Sequence, residues 1–273
     1  MKFRTLLAAV MTAAIATCVL GAASIASADS PKPYTCTGGA RPGFNPAAWT
    51  FVSIPSGTYS SLTVNGVCQV PPGAAIEVVG NVNVTAGSVL DAQTFASKLT
   101  VGGDVSAALG SLLGLGCLPN PPDHTTGHPC VEPSNGNPSA ARSRITVKGN
   151  IRATDADTVL LNGITVDGNV ILSGGGEPYI PWPIKWNTIG GSLIVRHVAA
   201  NWVGVLLNNI GGSASLTNIT ILDPGDPTPT AFVVSNTVAG NLTCENIGPN
   251  LIAGFPGEFN LVGQQTFGQC RRD

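Results

Sequence analysis

The sequence predicts an all-β fold, namely a right-handed single-stranded parallel β-helix (β-solenoid) with about 20–23 residues per coil. Three observations predict it: a short motif that recurs at a nearly constant interval, period-two alternation of apolar residues around each copy, and a low content of charge. Charged residues make up 10% of the chain, which has 34 glycines. A chain so poor in charge has to bury its apolar side chains in a regular, strand-rich core.

The recurring motif has the form Val/Ile-x-Gly-(Asn/Asp/Ser)-apolar. Its central glycines are Gly80, Gly103, Gly149, Gly168, Gly191, Gly212 and Gly240, at intervals of 23, 46, 19, 23, 21 and 28 residues. We expect the 46-residue interval to hold two periods, with one copy degraded around a Pro-rich insertion. An antiparallel β-sandwich is the alternative fold, but it gives no reason for such a repeat. The right-handed sense follows from the usual hand of parallel crossovers.

Alignment of the copies on this glycine places the other positions in columns. Apolar residues two before it and two and four after it are predicted to face the core. The position three before it is predicted to point outward and comprises Glu77, Thr100, Thr146, Thr165, Thr188, Asn209 and Thr237. The position four before it faces inward and changes from aliphatic residues to Asn187, Asn208 and Asn236. We expect these asparagines to stack and to satisfy each other's amides from coil to coil.

Residues 1–28 are predicted to be a signal peptide. A positive start is followed by an apolar stretch, Leu6 to Leu20, and Ala26-Ser27-Ala28 supplies the small residues of a cleavage site. An uncleaved membrane anchor is the alternative. Residues 29–273 are then expected to form a single solenoid domain of a secreted, extracellular protein.

Several partner classes are disfavoured for this mature chain. No later segment approaches the ~20 apolar residues of a membrane helix, so we expect no membrane contact after leader removal. No basic run or stripe is present, so we expect no nucleic-acid partner. We expect no cofactor.

Six cysteines follow the leader, an even number that indicates disulfides in an exported chain. They allow fifteen pairings. We favour pairing of near neighbours, namely Cys36–Cys68, Cys117–Cys130 and Cys244–Cys270. Such bonds would reinforce a solenoid, whose terminal coils have a neighbour on one side only.

Three segments depart from the repeat and are predicted to be loop insertions, near 117–142, 174–186 and 223–230. The first is rich in Pro, Asn, Ser and His, and the second reads GGGEPYIPWPIKW. The third, shorter segment accounts for the 28-residue interval.

The chain resembles a family of uncharacterised secreted actinobacterial proteins that are predicted to be β-helical. The resemblance covers nearly all of the mature chain, although the Pro-rich residues 223–230 depart from the family's usual form. It implies a fold and an extracellular location, and no activity. The matching segments are Cys68-Gln-Val-Pro-Pro-Gly, Gly80-Asn-Val-Asn-Val, Val89-Leu-Asp-Ala, Leu115-Gly-Cys117, Trp202-Val-Gly, Asn236-Thr-Val-Ala-Gly-Asn-Leu-Thr-Cys244 and Gly268-Gln-Cys270.

The aromatic residues of the second insertion are the candidate ligand-binding residues, namely Tyr179, Trp182 and Trp186. Exposed aromatic rings on a stiff loop can stack on the apolar faces of pyranose rings. The alternative is that the loop folds its aromatic side chains down over an otherwise uncovered coil.

Two other sites are weighed and not favoured. Asp123, His124 and His128 have metal-ligand spacing, but the flanking cysteines are expected to be oxidised. A polysaccharide lyase or hydrolase needs converging acids, or acids with a base. The charged residues Lys148, Arg152, Asp155, Asp157 and Asp167 fall on adjacent coils without a second layer of acids.

The sequence therefore favours a non-catalytic extracellular or cell-envelope protein with a structural or glycan-binding role, and polysaccharide or envelope material as partner. A polysaccharide lyase or hydrolase acting on the β-helix surface is the alternative. No catalytic residue and no metal ligand is assigned.

Overall fold

The computed structural model of the chain describes residues 30–118, 130 and 139–271, so the predicted signal peptide lies outside the described residues. Within this described part of the chain, no helix has the length and apolar character needed to cross a membrane.

The described residues form β-strands joined by tight turns, with one short 3₁₀ helix at Pro46–Ala48. The strands are β1 (Lys32–Gly38), β2 (Val52–Ser53), β3 (Gly57–Gln69), β4 (Ala75–Val78), β5 (Val82–Val84), β6 (Val89–Ala92), β7 (Lys98–Val101), β8 (Val105–Ala107), β9 (Leu112–Gly116), β10 (Arg144–Val147), β11 (Ile151–Thr154), β12 (Thr158–Asn162), β13 (Thr165–Val166), β14 (Val170–Ser173), β15 (Trp182–Lys185), β16 (Thr188–Ile189), β17 (Leu193–Ala200), β18 (Val203–Leu206), β19 (Asn209–Ile210), β20 (Ala214–Ile221), β21 (Thr230–Val234), β22 (Thr237–Val238), β23 (Leu242–Gly248), β24 (Asn250–Ile252), β25 (Gly254–Phe255), β26 (Glu258–Phe259), β27 (Leu261–Val262) and β28 (Thr266–Gly268).

The strands build a parallel β-helix with three faces, which confirms the predicted fold class. The first face contains the start of β3, then β4, β7, β10, β13, β16, β19, β22 and β27. The second contains β1, the middle of β3, then β5, β8, β11, β14, β17, β20, β23 and β28. The third contains β2, the end of β3, then β6, β9, β12, β15, β18, β21 and β24. Only β25 and β26 pair antiparallel among these strands.

The predicted columns are present on the first face. Residues at the same motif position pair in register from coil to coil, as Val147 does with Val101 and with Val166. The inward residues form one continuous buried core along the rod. The predicted outward row lies on the surface in the same register, with Thr146 paired between Thr100 and Thr165.

The 46-residue interval between motif copies is one coil with an insertion, and the prediction of two periods is wrong. Strand β7 pairs directly with β10, and Leu99 lies beside Ile145. The extra residues fall between β9 and β10 in the sequence, and the stacking of the coils continues directly from β7 to β10. Inserted residues lengthen the interval between two motif copies without adding a coil, so the interval alone does not give the number of coils.

The second predicted insertion is shorter than the sequence indicates, because residues 182–185 form strand β15 of the third face. Only the stretch between β14 and β15 leaves the coil. The third predicted insertion corresponds to the connection between the end of β20 at Ile221 and the start of β21 at Thr230.

The three predicted disulfides are confirmed. Cys36 bonds to Cys68 at the N-terminal end, and Cys244 bonds to Cys270 at the C-terminal end. Cys117 bonds to Cys130, which falls between β9 and β10 in the sequence.

The predicted asparagine stack forms a buried amide ladder. Asn187 Nδ2 donates to Asn208 Oδ1 at 2.9 Å, and Asn208 Nδ2 donates to Asn236 Oδ1 at 2.9 Å. Each amide oxygen also accepts the backbone N–H of the asparagine one coil earlier. The ladder continues to Asn260, which the motif did not reveal because Gln264 stands where the motif has glycine.

A second ladder explains the Asn/Asp/Ser position of the motif. At this turn each side-chain oxygen accepts the backbone N–H of the aligned residue in the next coil, at 2.7–3.1 Å; the acceptors are Asn81, Asp104, Asn150, Asn169, Ser192, Ser213 and Asn241. This donation, chiefly from the backbone N–H of Asn150, lowers the pKa of the Asp104 carboxyl. The motif glycine leaves room for the ladder, since a Cβ on Gly191 would lie 2.5 Å from Asn169 Oδ1.

We expect Asn208→Leu to lower the free energy of unfolding by about 2–4 kcal/mol, because it leaves several buried backbone and amide groups of the ladder without partners. Asn209→Ala is the matched control, since the neighbouring Asn209 is exposed, and it should change stability by less than about 0.5 kcal/mol. Chemical unfolding measures both. Equal losses in the two variants would contradict a structural role for the ladder.

Candidate functional site

The residues between β1 and β2 form an arm that lies across the outside of the third face. A pair of backbone hydrogen bonds joins Ala40 to Thr50 and closes the arm at its base. Inside it, Asn45 Oδ1 caps the short 3₁₀ helix by accepting the N–H of Ala47 at 3.1 Å. Trp49 Nε1 donates to the carbonyl of Gly43 at 3.0 Å, so the arm has a fixed shape.

Two contacts dock the arm on the coils. Trp49 is nearly buried and packs with Val67, Val89 and Leu112, outward residues of three successive coils. Arg41 donates to the carboxylate of Asp157 at 2.8 Å.

The guanidinium of Arg41 also contacts a backbone carbonyl and two aromatic rings. It donates to the carbonyl of Gly110 at 3.1 Å. Its carbon lies 4.7 Å from the ring centre of Phe44 and 5.5 Å from that of Trp49. Arg41 is therefore a positioning residue that fixes these two rings.

The connection between β14 and β15 lies opposite the arm. Gly174, Gly175 and Gly176 all have positive φ, and a Cβ at any of them would collide with the neighbouring coils. The side chain of Glu177 then turns back on its own loop, where its carboxylate accepts the N–H groups of Tyr179, at 2.7 Å, and Ile180. This local cap presents the ring of Tyr179 to solvent.

Burial raises the pKa of the Glu177 carboxyl above its ordinary value, although the two backbone N–H donors act in the opposite direction. The charge of Asp157 raises this pKa further, and that of Arg41 lowers it. Glu177 and Asp157 thus lie within electrostatic reach of each other, and both carboxylates are held by groups of the protein.

The structure separates the three predicted ligand-binding residues. Tyr179 is 64% exposed, and its ring centre lies 5.3 Å from that of Phe44. Trp182 is fully buried, and its Nε1 donates to the carbonyl of Asp157 at 3.1 Å. Trp186 is half-buried in the turn after β15, with a φ of 55°.

Burial of Trp182 removes the surface exposure on which its predicted ligand-binding role depends. Trp182 begins β15 and pairs with Val203 of the next coil, in an inward column of the third face. The alternative expectation is that the loop folds its aromatic side chains down over a coil; of the three residues, Trp182 is the one that is fully buried. Strand parity overrides the Pro-rich composition that suggested a loop.

A groove of about 340 Å³ runs between the arm and the Glu177 loop. Its walls include Trp49, Phe51, Leu160 and Ile180, and Asp91 and Gln93 supply polar groups. It lies beside the open cleft between Phe44 and Tyr179, and Pro46 lines both. The two together form an apolar concavity with a few polar side chains, as is usual for ligand sites.

Aromatic side chains continue along the third face beyond the groove. The Trp202 ring lies flat against Gly204, where any side chain would collide with it. Trp202, Phe232 and Phe255 follow one another with ring centres 5.8 and 6.1 Å apart. Lys185 Nζ lies 4.7 Å from the Trp202 ring centre, and burial lowers the pKa of its amine.

The charged residues weighed for catalysis do not converge. Lys148 pairs with Asp167 at 3.2 Å, and Arg152 pairs with Asp104 at 4.0 Å. Asp157 instead joins the arm through Arg41. The weighed metal ligands Asp123, His124 and His128 lie outside the described residues, and no group of three or more potential ligands occurs among those described.

The sequence pattern does not reveal the arm, because the arm lies outside the repeat. Its signal is the segment from Arg41 to Phe51, which places a basic residue and three aromatic residues between Cys36 and Cys68. Gln93 and Trp202 carry no signal of their own in the sequence.

No protein-family model, curated protein or solved structure matches the chain significantly. The resemblance to secreted actinobacterial proteins therefore stays a prediction. The functional argument depends on the geometry of the third face.

We expect Trp182→Ala to lower the free energy of unfolding by about 3–5 kcal/mol, the usual cost of deleting a buried large aromatic side chain. Tyr179→Ala, which removes an exposed ring from the same segment, should cost less than about 1 kcal/mol. Urea unfolding measures both. A Trp182→Ala protein as stable as Tyr179→Ala would show that Trp182 is not a core residue.

The raised pKa of Glu177 predicts a pH dependence of stability. In the unfolded chain Glu177 has its ordinary pKa of 4.5. Its contribution to the free energy of unfolding is fully present below that pH and is lost as pH rises through the raised pKa of the folded state. The unfolding free energy of the wild type minus that of Glu177→Gln should therefore fall as pH rises over this interval. Unfolding curves at several pH values measure the difference, and a difference that rises with pH would contradict the assignment.

Proposed function

We propose that the chain is a secreted, non-catalytic β-solenoid that binds a glycan of the cell envelope or the extracellular medium. The exposed ring of Tyr179, paired with Phe44 at the mouth of an apolar groove, is the observation that carries this proposal. Aromatic faces of this kind stack on the C–H faces of sugar rings. The three disulfides support an oxidising location outside the cytosol.

Rigidity of the platform supports a binding role. Tyr179 stands on a loop fixed by the Glu177 carboxylate, and Phe44 stands on an arm fixed by Arg41. A ligand that stacks on these rings therefore meets side chains that are already ordered, so little conformational entropy is lost on binding.

The hydrogen bonds of the nearby carboxylates, Asp157 and Glu177, favour glycan binding over glycan cleavage. A glycosidase needs a pair of carboxyl groups placed on either side of the scissile bond. A lyase needs a base and a group that neutralises the charge of the substrate. Here Asp157 holds Arg41, and Glu177 accepts two backbone N–H groups. Both carboxylates serve to position the aromatic residues.

The test is retention of the purified mature protein on insoluble peptidoglycan, chitin, cellulose and pectin. We expect the wild type to be retained on at least one polymer, and Tyr179→Ala and Phe44→Ala each to weaken binding about two- to tenfold, since one stacking contact contributes about 0.5–1.5 kcal/mol. Phe267→Ala is the matched control, because Phe267 is an exposed aromatic residue of the second face. It should bind like the wild type.

Two outcomes would contradict the proposal. One is the absence of retention on all four polymers. The other is an equal loss of binding in Phe267→Ala and Tyr179→Ala, which would place the contact outside the third face.

A further inference from the structure

In the side-chain amide of Gln93 the nitrogen is hydrogen-bonded to the protein, and the oxygen is available to a ligand. Gln93 is 7% exposed, and its Nε2 donates to the carbonyl of Cys117 at 3.0 Å, which orients the amide. Among the described residues no donor reaches its Oε1. That oxygen lies above the outward face of Gly114, where a Cβ would stand 3.4 Å from it. Because Gln93 lines the groove, the groove holds a preformed hydrogen-bond acceptor.

The rest of the groove is mainly apolar. Trp49, Leu160 and Ile180 form its walls, and Leu160 and Ile180 are half-buried. A ligand N–H that bonds this open acceptor would contribute the net free energy of one hydrogen bond, about 0.5–1.5 kcal/mol. The group that suits this groove therefore combines one N–H donor with a small apolar end.

The position of the groove connects it to the proposed glycan platform. Ile180 follows Tyr179 directly in the chain, and Pro46 lines both the groove and the cleft between Phe44 and Tyr179. A sugar ring stacked on Tyr179 would thus have its substituents at the mouth of the groove.

We propose that the groove selects N-acetylated amino sugars, an inference that rests on the proposed glycan-binding function. The acetamido N–H donates to Gln93 Oε1, and the methyl group packs against Leu160 and Ile180. The nearby charge supports a neutral ligand, because Asp157 is already paired with Arg41 and Glu177 lies within electrostatic reach of both. Like charge disfavours polyuronates such as pectin.

The test is calorimetry with soluble oligomers of equal length, built from N-acetylglucosamine, glucosamine or glucose. We expect the N-acetylated oligomer to bind the wild type about tenfold more tightly than the glucose oligomer, the effect of one additional hydrogen bond with apolar burial. Gln93→Leu should lose this preference and keep its affinity for the glucose oligomer. Tyr179→Ala should weaken binding of both.

Two further variants complete the design. Gln69→Leu is the matched control, because Gln69 lies on the same face one coil before Asp91 and does not line the groove. Should Gln93→Leu fail to fold, as judged by circular dichroism, Ile180→Ala tests the apolar wall instead and should lower the preference about threefold.

The outcomes separate this inference from the proposal beneath it. Equal affinity for the N-acetylated and glucose oligomers, or tighter binding of the glucosamine oligomer, would overturn the inference and leave glycan binding intact. Absence of binding to all oligomers and polymers would overturn both. Retention on chitin, on peptidoglycan or on both would support it and identify the source of the N-acetylated sugar.

Discussion

Backbone hydrogen bonds between successive coils hold each residue beside the residue one coil earlier, and the other features of the structure depend on this alignment. Parallel strands repeat every 4.7–4.9 Å or so, so a side chain in one coil meets its counterpart in the next at hydrogen-bond or van der Waals distance. The inner asparagine ladder and the turn ladder both use this spacing. These ladders fix the turns, where coils of unequal length could otherwise lose their register with each other.

The same alignment decides where variation is tolerated. A coil can carry an insertion wherever the chain leaves and returns between the same two strands, as it does between β9 and β10. The three faces then keep their order. The arm and the Glu177 loop are excursions of this kind, and both leave the coil between a strand of the second face and a strand of the third. A site formed from segments distant in sequence does not need them to leave neighbouring coils, provided that one of them is long enough to reach the other.

These principles also show how far the sequence could be interpreted. The outward row through Thr146, the asparagine stack and the three disulfides could be predicted, because each follows from a repeat or from near-neighbour spacing. Trp182 was misassigned because its neighbours are prolines, while its inward direction is determined by pairing with Val203. The Arg41–Asp157 contact joins residues 116 positions apart, outside the motif. No local pattern encodes such a contact.

The docking of the arm alters how a solenoid of this kind can unfold. In an ideal repeat protein each coil interacts only with its neighbours, so the ends fray independently of the middle. Here Arg41, from before the second strand, is tied to the turn at Gly110 and to Asp157, several coils along the rod. These two contacts of Arg41 couple the N-terminal coils to those that follow β9 and make them one cooperative segment. The N-terminal half of the rod thus departs from nearest-neighbour behaviour, whereas the C-terminal coils retain it.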